Sequence, residues 1–273
     1  MKVDPSADSP KKSLGQHWLR DIPTLELIAD IADIKVSDNV LEIGPGEGSL
    51  TDVLLKRANS VTAVELDQAL INKLSSRFKG QDKLKVIQED IRKFNLTSLP
   101  VDYKVVANIP YYLTSYLVRL LSQTQNPPGT IVLLVQKEVA LRLAAPPGKL
   151  SLLGVTAQVY WKIELGSVVP AELFTPPPKV ESQIVKLSRR KSPIISPDSL
   201  GLLFQVLKIA FGQKRKKLVN SLSAPLHINK DELSRLLITS HIPVSARPQE
   251  LSVEQWRNLV DNMHKFRNIL DSN

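Results

Sequence analysis

The 273-residue chain has no cysteine. That absence excludes disulfides, cysteine-ligated zinc and iron–sulfur clusters, and any base-modifying chemistry that begins with thiolate attack on a ring. Histidine is almost as scarce. His17, His227, His241 and His264 lack metal-like spacing, so surface or packing roles are expected and no metal. No apolar run approaches the ~18 residues of a spanning helix. Residues 1–12 are polar and lack an apolar signal core, so a cytoplasmic protein without a membrane partner is expected. Acid is also short of base: 27 Asp and Glu against 36 Lys and Arg give a net charge of +9, which favours a polyanionic partner. The length suits one α/β domain and a small second one, and no repeat or low-complexity tract stands out.

What is present begins with a glycine-punctuated turn. Asn39-Val40-Leu41-Glu42-Ile43 reads as a strand running into Gly44-Pro45-Gly46-Glu47-Gly48 and then a helix. Glycines there let the backbone turn sharply and leave room for a ligand against the helix N-terminus. The third glycine of the dinucleotide fingerprint would fall at position 49, which is Ser49. A pyrophosphate-binding dehydrogenase is therefore disfavoured, but a nucleoside-binding relative of the fold is not. The next strand, Val61-Thr62-Ala63-Val64, ends at Glu65, 21 residues after Gly44, where an acid can accept from ribose hydroxyls. A structural tight turn is the alternative reading of this pair. Leu84-Lys85-Val86-Ile87 then leads to Glu89-Asp90, and Asp90 either accepts from an adenine amino group or caps the following turn.

A fourth apolar run, Val105-Val106-Ala107, stops at Asn108-Ile109-Pro110-Tyr111. The X-Pro step forces Ile109 into an extended backbone. Asn108 then offers its side-chain oxygen and Ile109 its main-chain carbonyl, two acceptors for one amino group. Tyr111 adds a stacking face, worth about 1–3 kcal/mol per base at such platforms. A proline-containing turn closing a strand is the bland alternative. Four strands thus finish at Gly44, Glu65, Asp90 and Asn108, and ligands of open parallel sheets bind outside the carboxyl ends of strands.

Around this centre, residues 1–12 read as a flexible arm and lead into Lys11-Lys12-Ser13-Leu14-Gly15-Gln16-His17-Trp18-Leu19. Asp21, with Pro23 close behind, opens a helix bearing Leu25, Ile28, Ala29 and Ala32 at helical spacing. Helices are predicted over 114–122, 136–144 and 150–160, and strands over 130–135, 162–169 and 183–187, with Pro146-Pro147-Gly148 as a break. Phe174-Thr175-Pro176-Pro177-Pro178-Lys179-Val180 is a proline-stiffened loop. Its Phe174 is either a core aromatic or a second stacking surface opposite Tyr111. Arg189-Arg190-Lys191-Ser192-Pro193 marks a boundary dividing 1–190 from an all-helical 191–273. In the second part Leu202, Leu203, Val206, Leu207, Ala210 and Phe211 share a helical face, and Asn229 with Glu232 and Ser252 with Gln255 read as capping boxes. Lys214, Arg215, Lys216 and Lys217 are predicted in the first turn of a helix, where each opposes the macrodipole by ~0.3–1 kcal/mol. Phosphate binding would account for that cost, and a solvated basic face is the alternative.

Together these segments resemble the ribosomal RNA adenine dimethyltransferases of the KsgA type, in the family's order from about residue 11 to 222. The resemblance implies a seven-stranded, Rossmann-like α/β sheet that uses S-adenosylmethionine, helices on both faces, and a small all-helical C-terminal domain. It also implies dimethylation of two adjacent adenosines near the 3′ end of 16S rRNA, with the immature 30S subunit as partner and a monomeric enzyme. By position, His17 and Leu19 would close over the cofactor, Gly44 would approach its methionine portion, and Glu65 would hold its ribose. Asp90 would take its adenine amino group, and Asn108 would sit beside the sulfonium. Asn108, Ile109, Pro110 and Tyr111 would form the catalytic stretch, and Tyr111 and Phe174 would sandwich the target adenine. Lys11, Lys12, Arg189, Arg190, Lys214, Arg215, Lys216 and Lys217 would meet the RNA. Trp18 stands where the family usually has Phe, and keeps an aromatic there.

Three rival readings remain in view. The sister class that methylates large-subunit rRNA and confers macrolide resistance shares the cofactor loop, but the triple proline and the helix ending near Leu222 favour the small subunit. A ribosome-assembly factor acting mainly by binding and timing is a rival of another class. A nicotinamide-dependent oxidoreductase is weakened by Ser49.

Overall fold

The structure of the protein, a computed structural model, describes residues 16–109 and 113–271. Lys11, Lys12, Pro110 and Tyr111 lie outside the described residues. The described chain opens with β1 (Trp18–Leu19) and α1 (Ile22–Ile31). Asp21 caps α1 by accepting from the Thr24 amide at 3.0 Å, and Pro23 sits in the first turn, where its missing N–H breaks no bond. Alternating units follow: β2 (Asn39–Ile43), α2 (Ser49–Arg57), β3 (Ser60–Glu65), α3 (Gln68–Arg77) and β4 (Leu84–Gln88). Next come β5 (Lys104–Asn108), α4 (Thr114–Gln123), β6 (Thr130–Gln136) and α5 (Lys137–Leu143). After α6 (Leu152–Tyr160), the strands β7 (Trp161–Val169), β8 (Phe174–Thr175) and β9 (Ser182–Arg189) complete the β structure. Four helices close the chain: α7 (Pro197–Gly212), α8 (Leu218–Leu226), α9 (Lys230–Thr239) and α10 (Val253–Asp271).

Seven strands form one sheet in the order β4-β3-β2-β5-β6-β9-β7, with β4 through β6 parallel and β9 antiparallel to β6. Val105, Val106 and Ala107 of β5 and Ile131 to Val135 of β6 have no exposed surface. Successive strand residues face opposite sides, so unbroken burial means that both faces of the sheet are covered. On one face Leu25, Ile28, Leu50 and Leu54 of α1 and α2 pack with Val106 and Val132. The chain builds outward from β2 to β4 and then returns to β5 on the other side. That reversal leaves a crevice at the carboxyl ends of β2 and β5.

The chain divides into two compact units, one ending at Ala140 but regaining Ile163–Arg189, the other made of Leu141–Lys162 and Arg190–Asn273. The second unit has its own core, in which Val155 and Val159 of α6 join Leu207, Leu222, Leu237 and Trp256. It thus takes in residues 141–162, which the sequence pattern alone assigns to the sheet domain. The reason is packing: α6 is buried on almost every side, and the Ile194 amide donates to the Val159 carbonyl at 3.0 Å. The Ser252–Gln255 capping box forms, with reciprocal bonds at 3.0 and 3.1 Å, whereas Asn229 caps α9 from its own side, accepting from the Glu232 amide at 2.8 Å. The basic cluster needs correction. α7 runs to Gly212, a hydrogen-bonded turn follows, and Lys217 is the N-cap of α8, so all four cations precede the helix instead of filling its first turn. All four are exposed.

Candidate active site

A cavity opens at the strand ends, and its wall includes His17, Leu19, Gly44, Glu65, Asp90, Asn108 and Ile109. These residues come from β1, the turn after β2, the ends of β3 and β5, and the loop after β4. Gly44 turns with φ of +67°, a conformation that a side chain would strain, and its amide donates to the Val64 carbonyl at 2.9 Å. Gly48 has φ of +85°, and a Cβ there would lie 2.6 Å from Phe78 and 2.8 Å from Leu74 of α3. The loop can therefore press against α3 and start α2 at the cavity floor.

Glu65 is 7% exposed, and burial raises its carboxyl above the usual carboxylate range. The amides of Leu66 and Asp67 donate to its Oε1 at 2.8 and 2.9 Å, fixing the group and opposing that shift. Its Oε2 receives only a long 3.4 Å bond from Gly46 and keeps capacity for a hydroxyl donor. Asp90 caps the following turn and also faces the cavity. It accepts from the Arg92 amide at 3.0 Å and from the Arg92 guanidinium, which holds its carboxyl below the ordinary value.

Asn108 donates through Nδ2 to the His17 carbonyl at 3.4 Å, so its acceptor oxygen is the side left for a ligand. His17 Nδ1 lies 2.7 Å from the Pro176 carbonyl. β1 pairs antiparallel with β8, Trp18 opposite Thr175 and Leu19 opposite Phe174. This pairing seats the His17 segment at the cavity. Arg20 and Lys73 lie 5.5 and 5.8 Å from the centre of the Trp18 ring and both pair with Glu47 of the glycine turn. Phe174 does not line the cavity. It is 3% exposed and packs with Leu19, Leu25 and Leu50. Of the other cations, Arg189 is exposed, whereas Arg190 donates to the Gln158 carbonyl at 3.1 Å and is partly committed to packing.

Glu42, absent from the sequence-derived site, is 1% exposed, lines the cavity and accepts from the Thr51 hydroxyl at 2.6 Å. Burial pushes it up to about 8. The sequence signal was an acid inside the apolar run of β2. Leu66 and Ile91, each following a cavity acid, add apolar wall; Leu66 is 52% exposed. Acids at three strand ends and an apolar wall suit a cationic nucleoside and repel a pyrophosphate, and the buried Trp18 indole N–H is left to donate to an acceptor. Among the described residues, no His, Asp and Glu cluster is arranged to hold a metal ion.

A sequence profile described as "Ribosomal RNA adenine dimethylase" matches residues 7–265. A protein of Acaryochloris marina named "Ribosomal RNA small subunit methyltransferase A" is 41% identical over 267 residues, covering 93% of this chain and 97% of its own. Among solved structures, a dimethyladenosine transferase from Plasmodium falciparum is 28% identical with a TM-score of 0.79, over 91% of this chain and 98% of that one. The 23S rRNA methyltransferase ErmE is 28% identical with a TM-score of 0.74, over 90% and 99%.

Proposed function

Because the chain belongs to the ribosomal RNA adenine dimethylase family, we propose that it methylates the exocyclic amino groups of two adjacent adenosines near the 3′ end of 16S rRNA. The observation that carries this reading is the joint presence, on one cavity wall, of Glu65, Asp90, the glycine turn and the Asn108-Ile109 strand end. Bound there, S-adenosylmethionine supplies an electrophilic methyl group on a sulfonium.

An adenine's exocyclic nitrogen is a poor nucleophile because its lone pair is delocalised into the ring. The Asn108 oxygen and the Ile109 carbonyl accept its two hydrogens, draw them out of plane and turn the lone pair toward the methyl. Displacement then depends on position, and orientation alone supplies up to ~7–11 kcal/mol. The nitrogen cation formed is acidic and gives its proton to water, so no general base is required. The adenine must leave its stack, which is easier from a loop than from a duplex. Tyr111, beside the acceptors in sequence, provides the stacking face. Glu65 holds the ribose, Asp90 and the apolar Leu66 and Ile91 hold the cofactor adenine, and His17 and Leu19 cover it. Lys11, Lys12, Arg189 and the cations at 214–217 meet RNA phosphates, with the sheet unit as the methyl-transfer domain and the helical unit as the RNA-binding one. The substrate is the immature 30S subunit in the cytoplasm, met by a monomer. The 41% identity to a protein named for small-subunit rRNA, over nearly the whole of both chains, favours this target over the sister class.

Incubation with labelled S-adenosylmethionine and isolated 30S subunits or naked 16S rRNA, with mapping of the labelled base, tests the proposal. Asn108→Ala is expected to abolish labelling and retain RNA binding; labelling at the wild-type rate would remove Asn108 from the mechanism.

A further inference from the structure

A second concavity, of about 440 Å³, is lined by the loop after β4 and by α4, which also contribute other residues to the cofactor cavity. The loop after β4 gives Asp90, Ile91 and Arg92 to the cavity and Lys93 and Asn95 to this groove. Leu113, which caps α4, lines the cavity, and Tyr116, Arg119 and Gln123 of the same helix line the groove. Those three are spaced three and four apart and so form one stripe along α4. Lys93 lies near enough to Asp90 to add to the lowering that Arg92 chiefly causes.

The chemistry of the groove is selective. Tyr116 is 41% exposed, which leaves a ring face uncovered. Lys93 and Arg119 are exposed, and neither is held in an ion pair among the described residues. None of the described residues lining the groove is acidic. An open aromatic ring between two uncommitted cations, with an amide beside them and no acid, matches a base flanked by phosphates. Its place matches as well: α4 begins shortly after Asn108, so a strand whose base reacts at Asn108 has this helix beside it.

We propose that the groove holds a nucleotide of single-stranded RNA next to the reacting adenosine, with Tyr116 stacked on its base and Lys93 and Arg119 on its phosphates. The inference rests on the RNA-methylating function above and adds a subsite to it. A neighbour gripped here would keep the strand splayed while each adenine enters the cavity.

The test uses the full chain with Tyr116→Ala, Tyr116→Phe and the double variant Lys93→Gln/Arg119→Gln. The RNA probe is a labelled transcript of the 3′-end hairpin of small-subunit rRNA, titrated over a range of salt. S-adenosylhomocysteine binding is measured separately. Tyr116→Ala is expected to weaken RNA binding about tenfold, as loss of one stacked base does, and Tyr116→Phe to restore it. The double variant should reduce the slope of log K against log salt by about 1.4, two single-strand phosphate contacts. Cofactor affinity should be unchanged in all three. Unchanged RNA affinity and slope, or Tyr116→Phe as weak as Tyr116→Ala, would overturn the subsite. A wild-type chain that labels no adenosine defeats the methyltransferase reading; one that labels normally while the variants bind like it defeats the groove alone.

Discussion

A carboxyl group sealed between a strand and a helix makes folding sensitive to alkali. Glu42 sits in β2 with its Thr51 partner on α2, and burial raises it from an ordinary 4.5 to about 8. Between those values the native chain retains a proton that the unfolded chain has released. Stability from this group is therefore present at low pH and declines as pH rises through that window, at up to ~1.4 kcal/mol per unit, then levels off. Glu42→Gln keeps an acceptor for Thr51 and removes the titration. The wild-type melting temperature should fall between about pH 5 and pH 8 relative to the variant. Parallel melting curves would mean that Glu42 is ionised in the folded protein. In the sequence Glu42 shows only as an acid among apolar residues; its burial depends on α2 folding over the strand.

Helix ends carry the next set of consequences. α8 starts at Lys217 with no side-chain cap, after three more exposed cations. A basic N-cap offers the helix no side-chain acceptor, so the Leu218 amide donates instead to the Ala246 carbonyl at 2.9 Å, and it places like charge against the positive end of the dipole. Lys217→Asp should therefore raise stability by about 1 kcal/mol in urea unfolding and weaken RNA binding. A variant that gains stability with unchanged RNA affinity would return Lys217 to an ordinary solvated surface. The sequence was informative about elements because apolar spacing and caps are local: Asp21, Asn229 and Ser252 mark real helix starts. It misplaced the four cations because α7 stays helical to Gly212 and only then turns. It left Phe174 open because stacking and core aromatics look alike until register is known, and the β8 pairing buries this one. The strand-end residues of the cavity were legible because a parallel sheet brings successive carboxyl ends together whatever the packing details.

Across the whole chain, the division into units is not a simple cut. The sheet unit leaves at Ala140 and returns at Ile163, and the excursion supplies α6 to the helical core. A chain truncated after Arg189 would keep α6 but lose Leu207, Leu222 and Trp256, its core partners. Such a truncation should expose Val155 and Val159, bind a hydrophobic dye and aggregate, whereas a cooperative, soluble melt would show that α6 needs no helical partners. The excess of cations over acids belongs to this level too, since it speeds encounter with RNA and makes it salt-sensitive.

The bond between His17 and Pro176 spans 159 residues of chain. During synthesis at ~5–20 residues per second, the second partner is made roughly 8 to 30 seconds after the first. Throughout that interval the nascent polypeptide lacks the strand that seats His17. The cavity wall is thus completed late in translation, when β8 emerges to receive β1.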